Sequence, residues 1–153
     1  MAAHALLAIL CVLLLIAAAT DLKSRIIANR LNLAVALLAP AWWWASGLAL
    51  WPDAALQLAL GAIVFALFAA MFALGWMGGG DVKLLGALAL WLPVIPLIQM
   101  LFVMSVLGGV LTILVVAAHR IRKLKTNPEV PYGVAIACAG LWVICERYLN
   151  QFA

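Results

Sequence analysis

The chain has 153 residues, 70% of them hydrophobic and 9% charged, with a formal net charge of +4 and a mean hydropathy of +1.26. The apolar share far exceeds the roughly 45–50% of soluble domains and comes in long unbroken runs, which excludes a soluble globular fold and marks a polytopic membrane protein. Nucleic acid is not the partner that the positive charge implies, because the charges sort by membrane side. Cys11, Cys138 and Cys145 each lie inside an apolar run with no CxxC pair and no His cluster. They read as small core or lipid-facing thiols rather than a zinc site or a disulfide framework.

The first apolar run covers about Ala3 to Thr20. No Lys or Arg precedes it, whereas Lys23, Arg25 and Arg30 follow it, the reverse of a cleavable signal. It is expected to be a retained first span with its N-terminus outside. The polar stretch from Asp21 to Arg30 leads into span two, about Leu31 to Leu50, which ends at the turn signal Trp51-Pro52-Asp53. Trp42, Trp43 and Trp44 are read as packing and anchoring residues of its outer half.

Span three runs from about Ala54 to Trp76 and stops at Gly78-Gly79-Gly80-Asp81. Three glycines break a helix, and a carboxylate placed there between apolar runs calls for a reason. From Leu84 to Ala118 no residue is charged, a length of about 52 Å of helix that is too long for one crossing. Pro93 and Pro96 are expected to divide it into spans four and five, leaving span four on the order of 16 Å long. A basic stretch from His119 to Lys125 follows, and span six opens at Pro131-Tyr132-Gly133 and runs to about Leu149.

The gaps after spans one, three and five hold Lys23, Arg25, Arg30, Lys83, Arg120, Arg122, Lys123 and Lys125, while the gaps after two and four hold no Lys or Arg. By the positive-inside rule the odd gaps face the cytoplasm. The expected fold is therefore all-α, one membrane-embedded domain over residues 1–153, with six transmembrane helices and both termini outside. Asp21 and Asp81 then stand at the same, cytoplasmic, level.

If those two carboxylates meet in a partly desolvated site they resist ionising together, and the pair holds one proton. It then contains a base able to activate water and an acid able to protonate a leaving group, with no metal or cofactor. The alternative for each is structural: an Asp that ends a helix or marks the membrane boundary at position 21, or one that complements a helix N-terminus at position 81.

The run Gly78-Gly79-Gly80-Asp81-Val82-Lys83-Leu84 resembles the GxGD motif of the type IV prepilin peptidases. Asp21, Arg25, Ile27 and Asn29 are similar to that family's first motif, and Pro131-Tyr132-Gly133 looks like its later Pro-Tyr-Gly element. Ala28 stands where the family usually has proline. The resemblance implies a membrane aspartyl endopeptidase of the bacterial inner membrane, with Asp21 and Asp81 as its catalytic pair. It would remove leader peptides from prepilins and pseudopilins at the cytoplasmic face, with pilus-assembly machinery as a further possible partner. Longer members carry a cysteine-bearing cytoplasmic insertion and also N-methylate the product; the gap of about ten residues after span one implies a peptidase alone, most like those of tight-adherence (Flp) systems.

The other polar residues are expected to shape the site. Gly78, Gly79 and Gly80 leave room for a substrate backbone. Lys83 either holds an acidic group of the substrate or lowers an Asp pKa, or it snorkels to the interface. Arg25 and Asn29 order the turn after Asp21, with a topological charge as the other reading of Arg25. Pro131, Tyr132 and Gly133 shape the start of span six, and the Arg120–Lys125 cluster anchors the chain on anionic lipid. Two further readings are a small ion- or proton-coupled transporter subunit, with the aspartates as ligands near a broken helix, and a non-catalytic pilus-assembly scaffold.

Overall fold

The computed structural model describes residues 1–122 and 130–149. Lys123 and Lys125, the end of the expected basic anchor, lie outside the described residues. Among the described residues six α-helices follow one another: α1 (Ala2–Ser24), α2 (Asn29–Ala45), α3 (Ala55–Ala73), α4 (Gly79–Ala89), α5 (Val94–Ile121) and α6 (Tyr132–Leu149). A kinked turn, Leu50–Ala54, with Trp51 extended (φ −136°, ψ 130°), leads into α3, and there is no strand among the described residues.

The expected count of six spans is not met by helix length. Among the described residues, three helical stretches are long and apolar enough to cross a bilayer: Ala2–Ser24, Leu50–Ala73 and Val94–Ile121. Helix α2 has 17 residues, because Ser46 and the left-handed Gly47 (φ 75°) end it five residues before Leu50. Helix α4 has only 11, or about 16 Å, the short length that the proline spacing implied. The break after it falls at Leu90–Pro93, and Pro96 sits inside the first turn of α5, where a missing N–H costs nothing.

Two boundaries differ near the polar turns. Helix α1 continues through Asp21 to Ser24 and ends where Arg25 turns left-handed (φ 56°), its N–H donating to the Asp21 carbonyl at 3.0 Å. The break before Asp81 comes earlier than the triple glycine: Gly75 (φ 76°) reverses the chain, Gly78 caps α4, and Gly79 and Gly80 are already helical.

Helix α4 is the centre of the bundle. It packs against α2, α3 and α6, and α1 packs against α2 and α6. Val82 and every residue from Leu84 to Ala89 are buried, so α4 has no lipid face along that stretch, whereas α1, α3 and α5 turn apolar side chains outward, among them Leu15, Ile63, Leu67, Phe102 and Ile113. A helix apolar all round belongs inside a bundle. Close packing on α3 is allowed by glycine: a Cβ on Gly86 would stand 2.9 Å from the Phe65 ring, and one on Gly61 would overlap Leu90.

Burial leaves the carbonyls at the C-terminal end of α4 without water, and side chains from neighbouring helices take them over. Gln57 of α3, itself buried, donates its Nε2 to the carbonyls of Ala89 and Leu92, both at 2.6 Å. Trp43 of α2 donates its Nε1 to the Leu90 carbonyl at 2.8 Å, and Trp91 returns the bond to the Val35 carbonyl at 2.9 Å. Of the three expected anchoring tryptophans, Trp42 and Trp43 are buried and Trp44 is 85% exposed.

Replacing Gln57 with Leu keeps the volume near its original value and strands two buried carbonyls. We expect a loss on the order of 2 kcal/mol, read as a lowered Tm of the detergent-purified protein; an unchanged Tm would show that α4 does not depend on this cap.

Candidate active site

Asp21 is carried in the last turn of α1 and is 5% exposed. Its Oδ2 accepts a hydrogen bond from the Val134 N–H at 3.2 Å, so the carboxylate closes the first turn of α6, where helix N–H groups lack internal partners and negative charge is favoured. The residue that permits this is Gly133: a Cβ there would lie 2.9 Å from both Cγ and Oδ2 of Asp21. The Pro-Tyr-Gly element thus comes to the aspartate of the first motif, more than a hundred residues away in sequence.

Asp81 is in the first turn of α4, outside the three helices long enough to cross the bilayer. Its carboxylate accepts from the Gly78 N–H while the Val82 N–H donates to the Gly78 carbonyl at 3.2 Å, closing the turn much as a capping box does. Burial pushes the Asp81 carboxyl up to about 7; the Asp21 carboxylate beside it adds to the rise, and the Gly78 N–H opposes it. The two acids open into one cavity of about 250 Å³, whose other walls are Arg25, Ile26, Ile27, Gly78, Gly79 and Gly80.

Ile27, in the loop between α1 and α2, wedges the two halves together. It is 5% exposed, and Gly80 packs on it so closely that a Cβ would stand 3.2 Å from the Ile27 Cβ and 3.4 Å from its carbonyl oxygen. Its Cδ1 also occupies the space beside Gly133. Ala28, the departure from the usual proline, has φ −62°, a value proline itself would adopt, so alanine leaves the turn conformation in place.

The expected site-shaping residues divide into two groups. Asp21, Asp81, Arg25 and the three glycines line the cavity. The glycines, expected to leave room for a peptide, also admit groups of the chain itself: Asp81 Oδ2 would be 3.0 Å from a Cβ on Gly78, and the Phe72 ring 3.3 Å from one on Gly79. Lys83 and Asn29 lie elsewhere, pairing with each other (Nζ to Oδ1, 2.8 Å) on the wall of a separate groove. Tyr132 faces α5, its ring against Gly108 and its hydroxyl 3.4 Å from Thr112 Oγ1, while Pro131 is fully buried.

One residue near the site escaped the sequence reading. Asn32 of α2 is 4% exposed and donates its Nδ2 to the Gly80 carbonyl at 3.0 Å, tying α2 to the glycine turn. Its Oδ1 has no partner, a buried deficit of about 1–3 kcal/mol. The available signal was its place as a lone amide inside an apolar span.

Gly133→Ala drives a methyl group into the Asp21 carboxylate. We expect it to lower stability by on the order of 1–3 kcal/mol, read by thermal unfolding in detergent. Gly109→Ala, where an added Cβ meets nothing within 4 Å, should leave stability unchanged or raise it, and equal losses at both positions would remove the special status of Gly133.

No curated protein and no solved structure matches the chain. A family model, that of the type IV leader peptidase family, matches residues 8–113, a stretch that holds both aspartates and the glycine turn and stops short of Pro131. The match covers well over half of the sequence. The chain belongs to the type IV leader peptidase family.

Proposed function

We propose that the chain is a membrane aspartyl endopeptidase that cuts the leader from Flp-type prepilins and pseudopilins at the cytoplasmic face of the bacterial inner membrane, without methylating the product. Family membership makes it a peptidase whose substrates are prepilins. The observation that carries the mechanism is the meeting of Asp21 and Asp81 in one cavity, with Asp81 pushed up to about 7.

In this mechanism the pair holds one proton at neutral pH. The ionised carboxylate takes a proton from water as the water attacks the scissile carbonyl, and the protonated one supports the developing oxyanion and then protonates the leaving amine. The proton belongs to the pair rather than to either residue. Arg25 and the Asp21–Val134 bond hold the α1 side of the cavity, and the Gly78 cap holds Asp81.

The orientation rests on charge. Lys23, Arg25, Arg30, Lys83 and Arg120 all fall at the end of the bundle that carries the aspartates, since α1 and α5 end there and α2 and α4 begin there. In the proposed topology the chain passes back and forth six times with both termini outside, and the first turn of α4 lies at the aqueous mouth of the bundle. A prepilin with its leader in the cytoplasm and its apolar helix in the bilayer would meet the cavity at that level.

Incubating the purified protein with an Flp-type prepilin should yield the leader-shortened product by mass spectrometry, with no added methyl group and no effect of chelators. Asp21→Asn and Asp81→Asn should each lower the rate by about three orders of magnitude while the protein still inserts. Full cleavage by either variant would sink the paired-aspartate mechanism. The rate should also depend on pH in a definite direction. Below about 7 the pair keeps its one proton; above it both carboxylates are charged and the acid is lost. The rate should therefore fall as pH rises past about 7, approaching tenfold per unit, and a rate still climbing there would contradict the shared proton.

A further inference from the structure

Beside the aspartate cavity runs a groove of about 570 Å³ between α2, α3 and α4, with apolar walls that include Leu33, Ala36, Leu58, Ala62 and Phe65. We propose that this groove, rather than the α5 side of the bundle, seats the apolar helix of the prepilin; the assignment rests on the peptidase reading above.

Three observations carry it. First, the groove is joined to the site. Asn32 lines it and bonds the carbonyl of Gly80, which lines the aspartate cavity. Secondly, its direction is right. Asn29 and Lys83 stand at the N-terminal ends of α2 and α4, and Leu58 and Leu90 at the far end. A helix lying parallel to α4 would present its own N-terminus, and the peptide preceding it, at Gly80 and Asp81. Thirdly, such a helix brings N–H groups with no internal acceptor in its first turn, and an endopeptidase site needs the residues before it unwound. Asn32 Oδ1 is an acceptor with no partner, in a side chain more than nine-tenths buried, where groove and glycine turn meet. The oxygen is closed off in the free protein, and it becomes a positioning group for that N–H when the seated helix turns its amide outward.

The test compares two substrates, a full prepilin and a short peptide that spans the cut but lacks the apolar helix. Ala62 is exposed on the groove wall, so Ala62→Trp fills the groove without entering the core. We expect the preference in kcat/KM for the full prepilin over the short peptide to fall about tenfold in this variant, through KM for the full prepilin. Leu114→Trp, exposed on α5, should retain the preference. A photo-crosslinker at position 33 in the Asp81→Asn background should capture the prepilin helix. An unchanged preference in Ala62→Trp, capture from position 114 instead of 33, or capture of lipid alone at 33 overturns the groove while leaving the peptidase intact. Failure of the unmodified protein to cut either substrate overturns the peptidase reading and the groove with it.

Discussion

The structure turns on one constraint: an 11-residue helix, α4, is enclosed by its neighbours along most of its length and still has to satisfy its ends. Water is not available inside the bundle, so every exposed carbonyl or N–H at those ends needs a partner supplied by another helix. Gln57 and Trp43 meet the carbonyls at one end. At the other, Asn32 holds the Gly80 carbonyl and Asp81 turns back onto Gly78. A carboxylate that would otherwise be an expensive intrusion becomes part of the helix start, and the same bonds fix where it stands.

The second aspartate is placed by the same economy of partners. Asp21 closes the free first turn of α6 through Val134, and only a glycine at position 133 lets the two approach. Asp21 is thus held by the start of α6 and Asp81 by the start of its own helix, and Ile27 fills the space between the two glycine contacts. The result is a pair that is rigidly supported but opens to a cavity. Burial and, after it, the neighbouring negative charge then act together on Asp81. This is the arrangement in which a carboxyl keeps a proton near neutrality.

Much of this was legible in the chain. The glycine run before Asp81, the level shared by Asp21 and Asp81, and the shortness of α4 all follow from periodicity, charge and the two prolines. The helix lengths were not legible, because an apolar run tells little about where a helix ends inside it; Ser46 and Gly47 cut α2 short of the length that hydropathy implied. Nor were the partners of Lys83 and Asn29, which face each other across a groove instead of turning towards Asp81. Gln57 and Asn32 were passed over as isolated amides, since their value lies in carbonyls some thirty to fifty residues away that only the packed bundle brings to them. The glycines 78–80 show the same limit: the sequence marks a close approach without saying what approaches.

The most direct measurement is an infrared titration of the carboxyl groups in the detergent-purified protein and in its Asp21→Asn variant. The account predicts that the pair holds one proton that persists to near-neutral pH and titrates close to 7, a titration that Asp81→Asn abolishes. It also predicts that this titration moves to lower pH when the Asp21 charge is removed, because a like charge helps to hold the proton there. A titration unmoved by Asp21→Asn, or two carboxylates fully ionised well below neutrality, would contradict the coupled pair on which the mechanism stands.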